Sequence, residues 1–346
     1  MKQLDFEHGT VTGNILGAAV PMLVAQILNL LYNIVDRIYI ARIPKVGTAA
    51  LGAVGLCFPL IVIITAFSNL YGSGGAPLFS IHRGKKETQT ANDIMNTSFS
   101  MLCLTGVILM VVGMLLIRPI LILFGASEGA LAYACPYMML YLIGTLPSMI
   151  AVGMNPFINA QGYSLTGMLS VAIGAAANLV LDPLFIFTLD MGTAGAALAT
   201  GLSQFISFCI LLWMCNHQDS CISISIRKFR PKLAIYREIL YGGIPSLGRQ
   251  GIASVATILM NFMCQPYGDA AIAAMSIVSR FMFFINSVII GFGQGFQPVC
   301  SYCFGAGLYD RVKKACWFCI RVSTIILLVL SVISFPAARS IITLFR

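Results

Sequence analysis

The sequence predicts an all-α integral membrane protein made of two parallel-related helical repeats, a six-helix N-lobe followed by three helices of a second lobe. Three observations carry that expectation. Hydrophobic residues make up 58% of the 346 and charged residues only 10%, which is more apolar surface than a soluble chain of this length can bury. A window of about nineteen residues finds nine apolar runs, each long enough to cross roughly 30 Å of hydrocarbon as a helix. Short motifs near the start of the chain also recur, in the same order, in its last third.

The runs are 14–41, 49–80, 92–117, 131–154, 164–189, 192–215, 236–265, 270–303 and 312–339. The first is about twice as long as the apolar core of a signal peptide and is followed by no small-residue cleavage site, so it is expected to remain as an anchor. Several runs exceed the minimum span, which calls for tilt or bending. Residues 216–235 contain Ser and basic residues but no long apolar run. They are read as a cytoplasmic linker between an N-lobe, 1–215, and a partial second lobe, 236–346.

The net charge of +9 is explained by topology rather than by nucleic acid. With the N-terminus inside, Lys2, Arg83, Lys85, Lys86, the basic linker, Arg311, Lys313 and Lys314 fall on the cytoplasmic side, against Arg42, Lys45, Arg118, Arg339 and Arg346 outside. That excess orients the chain as a multi-pass protein of the inner (plasma) membrane with a cytoplasmic N-terminus. Most of the eleven cysteines lie inside the runs, and no His accompanies them there. They are read as small apolar filler, and neither a cofactor nor a cysteine-held metal is expected. With no nucleophile or metal constellation in the spans, an enzyme is not expected either.

The internal repeat is specific. ILGAAVP (15–21) resembles ILYGGIP (239–245), GTAALGAVG (47–55) faces GDAAIAAMS (268–276), and GSGGAPLFSIHRG (72–84) faces GQGFQPVCSYCFG (293–305). ILFG (122–125) then faces TLFR (343–346). After the first pair the offset stays at 221, matching Gly72 with Gly293, Gly74 with Gly295, Pro77 with Pro298, Ser80 with Ser301 and Gly84 with Gly305. Six helices per repeat is an even number, so both repeats enter the membrane in one orientation, related by an axis along its normal. On this reading helices 10 to 12 are expected to be lacking from residues 1–346, as a fragment or as a shortened product.

Ionisable groups within a span are costly and mark function unless they reach an interface. Of the twelve acidic residues only Asp36 and Asp182 lie well inside the runs. Gln26, Asn29, Asn33 and Asp36 recur at helical spacing and share one face of helix 1; Asn178 and Asp182 share a face of helix 5. Both carboxylates belong to the outer halves of their helices, and Thr200, about eight residues into the descending helix 6, reaches a similar depth. Such a set suits an oxygen-lined site for a small cation, or a carboxylate pair that shares a proton. The plainer alternatives pair Asp36 with Arg37, or use Asp182 to cap a Pro-broken helix.

NIVDRIYIARI (33–43), NLVLDPLFIF (178–187), GAALAT (195–200) and RGKK (83–86) resemble the multidrug and toxic compound extrusion (MATE) transporters, bacterial type. The resemblance implies secondary active efflux of amphipathic organic cations or drugs, by antiport against Na⁺ or H⁺ with alternating access. It implies an N-lobe site in which Asp36 and Asp182 take the coupling ion, Na⁺ or a proton, with Asn178 and Thr200 assisting. It places a bend of helix 1 at Pro21, where proline also removes a backbone bond. Gln26, Asn29 and Asn33, with Arg249, Gln250, Met260, Met263 and Phe283 opposite, are the candidate lining of a substrate cavity, since thioethers repack and aromatic faces attract cations. One departure is that helix 7 offers Arg249 and Gln250 where some members carry an acid. A monomer is expected. The alternatives are a flippase for lipid-linked saccharides, for which Arg249 and Arg280 would hold phosphates, and a non-functional fragment.

Overall fold

The computed structural model describes residues 3–44, 46–124, 126–217, 233–264, 266 and 269–344, and these are helical almost throughout, with no strand among them. The order is α1 (Val11–Ala41), α2 (Gly47–Gly84), α3 (Thr88–Leu123), α4 (Glu128–Ile143), α5 (Thr145–Ala160), α6 (Ser164–Pro183), a π-helical turn (Leu184–Thr188), α7 (Gly192–His217), α8 (Leu233–Cys264), α9 (Asp269–Gly305) and α10 (Tyr309–Leu344). In hydrocarbon a backbone must bond within its own segment, so helices are what an apolar chain of this kind can form. Thr10 and Ser127 begin α1 and α4 by accepting the N–H groups of Gly13 and Ala130, which satisfies donors a helix start leaves open.

Among the described residues six helices are long and apolar enough to cross a membrane: α1, α2, α3, α6 with its π turn, α7 and α10. The run 131–154, expected as one span, is instead two helices, α4 and α5, bent by 56° at Gly144, and counted together they make a seventh crossing. Pro147 in the first turn of α5 has no N–H to bond the Ile143 carbonyl and its ring crowds that carbonyl, so the ladder stops there. Gly144 lets the bend form against α7, since a Cβ on it would meet the Gly201 Cα at 2.8 Å. α1, by contrast, runs unbroken through Pro21. Residues 218–232, most of the expected linker, lie outside the described residues.

The repeated motifs adopt repeated local geometry. α2 ends at Gly84 and α9 at Gly305, while α3 begins at Thr88 and α10 at Tyr309. In the first turn Lys85, Lys86 and Glu87 donate to Ile81, Arg83 and His82; in the second Ala306, Gly307 and Leu308 donate to Tyr302, Phe304 and Cys303. The middle residue of each turn is left-handed, Lys86 at φ 64° and Gly307 at φ 73°.

The contacts between the two chain segments repeat as well. A Cβ on Gly84 would strike the Tyr302 carbonyl, and one on Gly305 the Ile81 carbonyl, the matching residue. Gly74 meets Gly243 where α2 crosses α8, and its counterpart Gly295 meets Ala19 where α1 crosses α9. Glycine and alanine at these crossings let backbones approach as helix interfaces in lipid require. At Gly52, Gly55, Gly248 and Gly251 an added Cβ would meet nothing within 4 Å. The main core lies mostly in α2 to α7 and takes in Ile40 of α1 and Ile235 and Ile239 of α8, and a second cluster joins Phe6, Ile15 and Ala19 to Phe292, Val299, Cys303 and Ala315.

Two stability outcomes follow from this geometry. Gly305→Val forces a side chain into the Ile81 backbone and is expected to cost about 1–3 kcal/mol, lowering the unfolding temperature in detergent, whereas Gly52→Ala should leave it unchanged or higher. Lys86→Gly relieves a left-handed residue that its counterpart Gly307 already relieves, and should raise stability by about 1 kcal/mol; an unfolding temperature below wild type would contradict that assignment.

Candidate functional site

Helices α1 and α6 pack along one another and bring together residues that lie about 145 positions apart in the chain. Asp182 occupies the last turn of α6, and Pro183 after it leads into the π turn, so the ladder loosens immediately beyond the carboxylate. Such π segments place side chains that a regular helix would rotate away. Asp182 is 0% exposed and Asn178 1%, and the Asn178 amide donates to Asp182 Oδ1 at 3.2 Å. Asp36 of α1 acts electrostatically on Asp182 across the helix pair.

The notable feature is what these groups lack. Asp36 Oδ1, Asn178 Oδ1 and Asp182 Oδ2 are buried acceptor atoms with no hydrogen-bond partner. An ionised carboxylate holds only acceptors and an amide oxygen is another, so these three oxygens offer lone pairs that no donor occupies. Removing a carboxylate from water is expensive unless a proton or a cation compensates it. The arrangement can therefore bind a small hard cation through oxygens, or carry a proton on the carboxylate pair.

The plainer roles do not fit. Among the described residues Asp36 forms no ion pair with Arg37, whose guanidinium lies 5.4 Å from the centre of the Phe58 ring. Asp182 accepts from a side chain and serves as no helix cap. Thr200 sits on α7, which packs beside α6, and its carbonyl accepts from Ser203 Oγ at 2.8 Å; no hydrogen bond joins its hydroxyl to either carboxylate among the described residues.

Other residues that flank the site were not singled out by the sequence. Tyr32 interacts with the Asn33 and Gln204 side chains and with both carboxylates. Tyr137 and Tyr141, stacked on α4 with ring centres 6.2 Å apart, act on Asp36. Tyr32 is one helical turn before Asp36 and Gln204 one turn after Thr200, so the spacing alone could have nominated them. Asp93, near the start of α3, is 5% exposed and accepts from Gln89 Nε2 at 3.3 Å.

The polar stripe of α1 splits in its partners. Gln26 Nε2 donates to Gln294 Oε1 at 3.0 Å, a bond from α1 to α9. Asn33 Nδ2 donates to Asn29 Oδ1 at 2.9 Å, and both asparagines are exposed. Arg249, Met260, Met263 and Phe283 are exposed, and Gln250 donates to the Ser246 carbonyl at 3.4 Å. The Arg280 side chain lies outside the described residues.

The chain is 25% identical over 340 residues to the multidrug export protein MepA of Staphylococcus haemolyticus, covering 98% of this chain and 75% of the relative. It is 25% identical over 314 residues to MepA of Staphylococcus aureus strain NCTC 8325, covering 90% and 69%. Among solved structures it resembles the outward-facing conformation of a multidrug resistance MATE family transporter of the MOP superfamily, with TM-score 0.92, 25% identity and coverage of 100% and 76%. It also resembles a MOP superfamily transporter from Pyrococcus furiosus described as having a binding pocket of reverse polarity, with TM-score 0.91, 25% identity and coverage of 100% and 77%. The MatE family model matches residues 21–184 and 245–346, two segments that open on the paired prolines Pro21 and Pro245. With well over half of its residues so matched, the chain belongs to the MatE family, the multidrug and toxic compound extrusion transporters.

Proposed function

We propose that this MATE transporter exports amphipathic organic cations, drugs among them, in exchange for Na⁺ or H⁺ taken up at Asp36, Asn178 and Asp182. The single observation that carries the reading is that Asp36 Oδ1 on α1 and Asn178 Oδ1 and Asp182 Oδ2 on the adjoining α6 are buried oxygens without a hydrogen-bond partner. In this reading residues 1–215 form the N-lobe that holds the coupling ion. The helices from 236 onward form the facing wall, and α8 and α9 complete nine crossings with the N-terminus in the cytoplasm. Thr200 joins the site when the ion draws α7 inward. The relatives named MepA are multidrug export proteins, which supports the substrate class.

The transport step uses the asymmetry of the helix crossings. The close approaches at Gly84 with Tyr302, Gly74 with Gly243 and Gly295 with Ala19 belong to the cytoplasmic half in the proposed orientation, so the described state is open outward. Exposed Asn29 and Asn33, with Arg249, Gln250, Met260, Met263 and Phe283 opposite, line the opening, and Gln26 marks its floor through its bond to Gln294. A cation on Asp36 and Asp182 removes their mutual repulsion and draws α1 toward α6. Pro21 supplies the place where α1 yields, because the Gly17 carbonyl has no proline N–H to hold. A ligand shifts such an equilibrium only by its differential affinity for the two states, and here the ion and the cation substrate compete through one helix.

The test uses the full chain in proteoliposomes with ethidium as substrate. Asp36→Asn and Asp182→Asn keep shape and remove charge, so each should reduce ion-driven ethidium movement to background while the protein still inserts and elutes as wild type. Driving transport separately with a Na⁺ jump and a pH jump identifies the coupling ion, and undiminished transport by both variants would remove the assignment. Asn178→Ala, which deletes an assisting oxygen but neither charge, should weaken apparent ion affinity about tenfold with little change in maximal rate.

A further inference from the structure

The segment Gln3–Gly9, ahead of α1, is tied to both parts of the chain at the end where α2 and α9 meet. On one side Leu4 N donates to the Gly162 carbonyl at 3.1 Å and Gln3 Nε2 to the Gln161 carbonyl at 2.8 Å. On the other the Phe6 ring, 4% exposed, packs edge-on against Tyr302 with centres 5.8 Å apart. Tyr302 donates to Glu7 Oε2 at 3.2 Å, and Arg311 Nη2 donates to the Phe6 and Gly9 carbonyls at 3.1 and 2.6 Å. The Cys303 thiol, fully buried, points at the Phe6 carbonyl at 3.8 Å.

The segment has a built shape of its own. Asp5 Oδ1 accepts the backbone N–H groups of Glu7 and His8 at 2.9 and 3.1 Å, and the Asp5 carbonyl accepts from Asn14 Nδ2 at 2.6 Å. Those bonds, from His8 first and Glu7 second, hold the exposed Asp5 carboxyl below its ordinary value. The carboxylate's contribution to the turn is therefore present at neutral pH and is lost as pH falls through that lowered value. Gln3, Leu4, Asp5, Phe6, Arg83 and Tyr302 together line a cavity of about 270 Å³ at this junction. Directly below, Arg83 lies 5.9 Å from the centres of both Phe79 and Tyr302, and Gly84 and Gly305 hold α2 and α9 in backbone contact.

We propose that Gln3–Gly9 is a latch that holds the cytoplasmic ends of the two chain segments together in this state and must leave Tyr302, Cys303 and Arg311 before that side opens. The inference rests on the alternating-access reading above. Hydrogen bonds near 3 Å do not survive a displacement of an ångström or two, so when α2 and α9 part at Gly84 and Gly305 the strap cannot keep both of its attachments. The attachments are unequal. Lys86 and Glu7 pair at 3.7 Å with side chains 78% and 36% exposed, a surface contact of little weight. Arg311 makes two charge-assisted bonds from a partly buried position and dominates.

Pulsed electron resonance on the full chain in nanodiscs tests the latch, with spin labels on noncanonical residues replacing Lys85 and Lys314. Distances are recorded in apo protein and with ethidium plus the coupling ion. Arg311→Gln should raise the long-distance, cytoplasm-open population about tenfold. Tyr302→Phe, which removes only the hydroxyl bond to Glu7 and keeps the ring, should raise it a few-fold, and Lys86→Gln less than about twofold. If Arg311→Gln does not fold, the ordering of Tyr302→Phe above Lys86→Gln decides. Wild-type distributions in both Arg311→Gln and Tyr302→Phe, with the wild type still switching on ethidium and ion, would overturn the latch and leave alternating access standing. A single short distance in every variant and condition would remove both.

Discussion

Hydrocarbon offers no hydrogen-bond partner, and most of this molecule follows from that one constraint. The backbone answers it with helices, and small polar side chains answer it by bonding carbonyls one turn back: Thr65 to Ile61, Ser68 to Ile64, Ser100 to Asn96 and Thr145 to Tyr141. Against that background an unpartnered group stands out in proportion to its charge. Ser80, Thr97, Ser98 and Ser164 also have buried hydroxyls without partners, at a cost of about 1–3 kcal/mol each for neutral groups. Carboxylates in the same position cost several kcal/mol each, which sets Asp36 and Asp182 apart from the hydroxyls.

The backbone ladder fails at a few defined places. Pro147 and Gly144 break α4 from α5 beside α7, the π turn follows Asp182, and Pro21 leaves one carbonyl of α1 unbonded without interrupting it. Each defect lies on a helix that reaches the oxygen cluster or its tyrosine wall. A regular helix cannot change the bearing of one side chain without turning all of them, whereas a defect uncouples the segments on either side.

Close backbone approach is the second consequence of a medium that gives helices no hydrophobic reason to associate. The carbonyl contacts at Gly84 and Gly305 are mutual, since the residues they face, Tyr302 and Ile81, are themselves matched by the 221-residue offset. Both following turns also close with the same three hydrogen bonds. The left-handed turn position carries lysine in one copy and glycine in the other, so what the copies share is a backbone course, and the side chain there is free to serve the pair with Glu7.

The sequence alone determined the helical class and the register of the internal repeat, and it drew attention to Asp36, Asn178, Asp182 and Thr200 by their spacing and depth within the apolar runs. These are local properties: hydropathy, helical spacing and the cost of a charge in lipid depend on a residue and its near neighbours. The same averaging window hid the break at Gly144, because a 56° bend leaves mean apolarity unchanged. Only the tertiary structure decided that Arg37 turns to Phe58 rather than to Asp36, that α7 reaches Tyr32 through Gln204, and that Tyr137 and Tyr141 wall the site. It alone placed Gln3–Gly9 across Tyr302 and Arg311. The rotation of each helix about its own axis, and the course of a short polar segment, are fixed by several neighbours packing at once, and no window along one chain contains those neighbours.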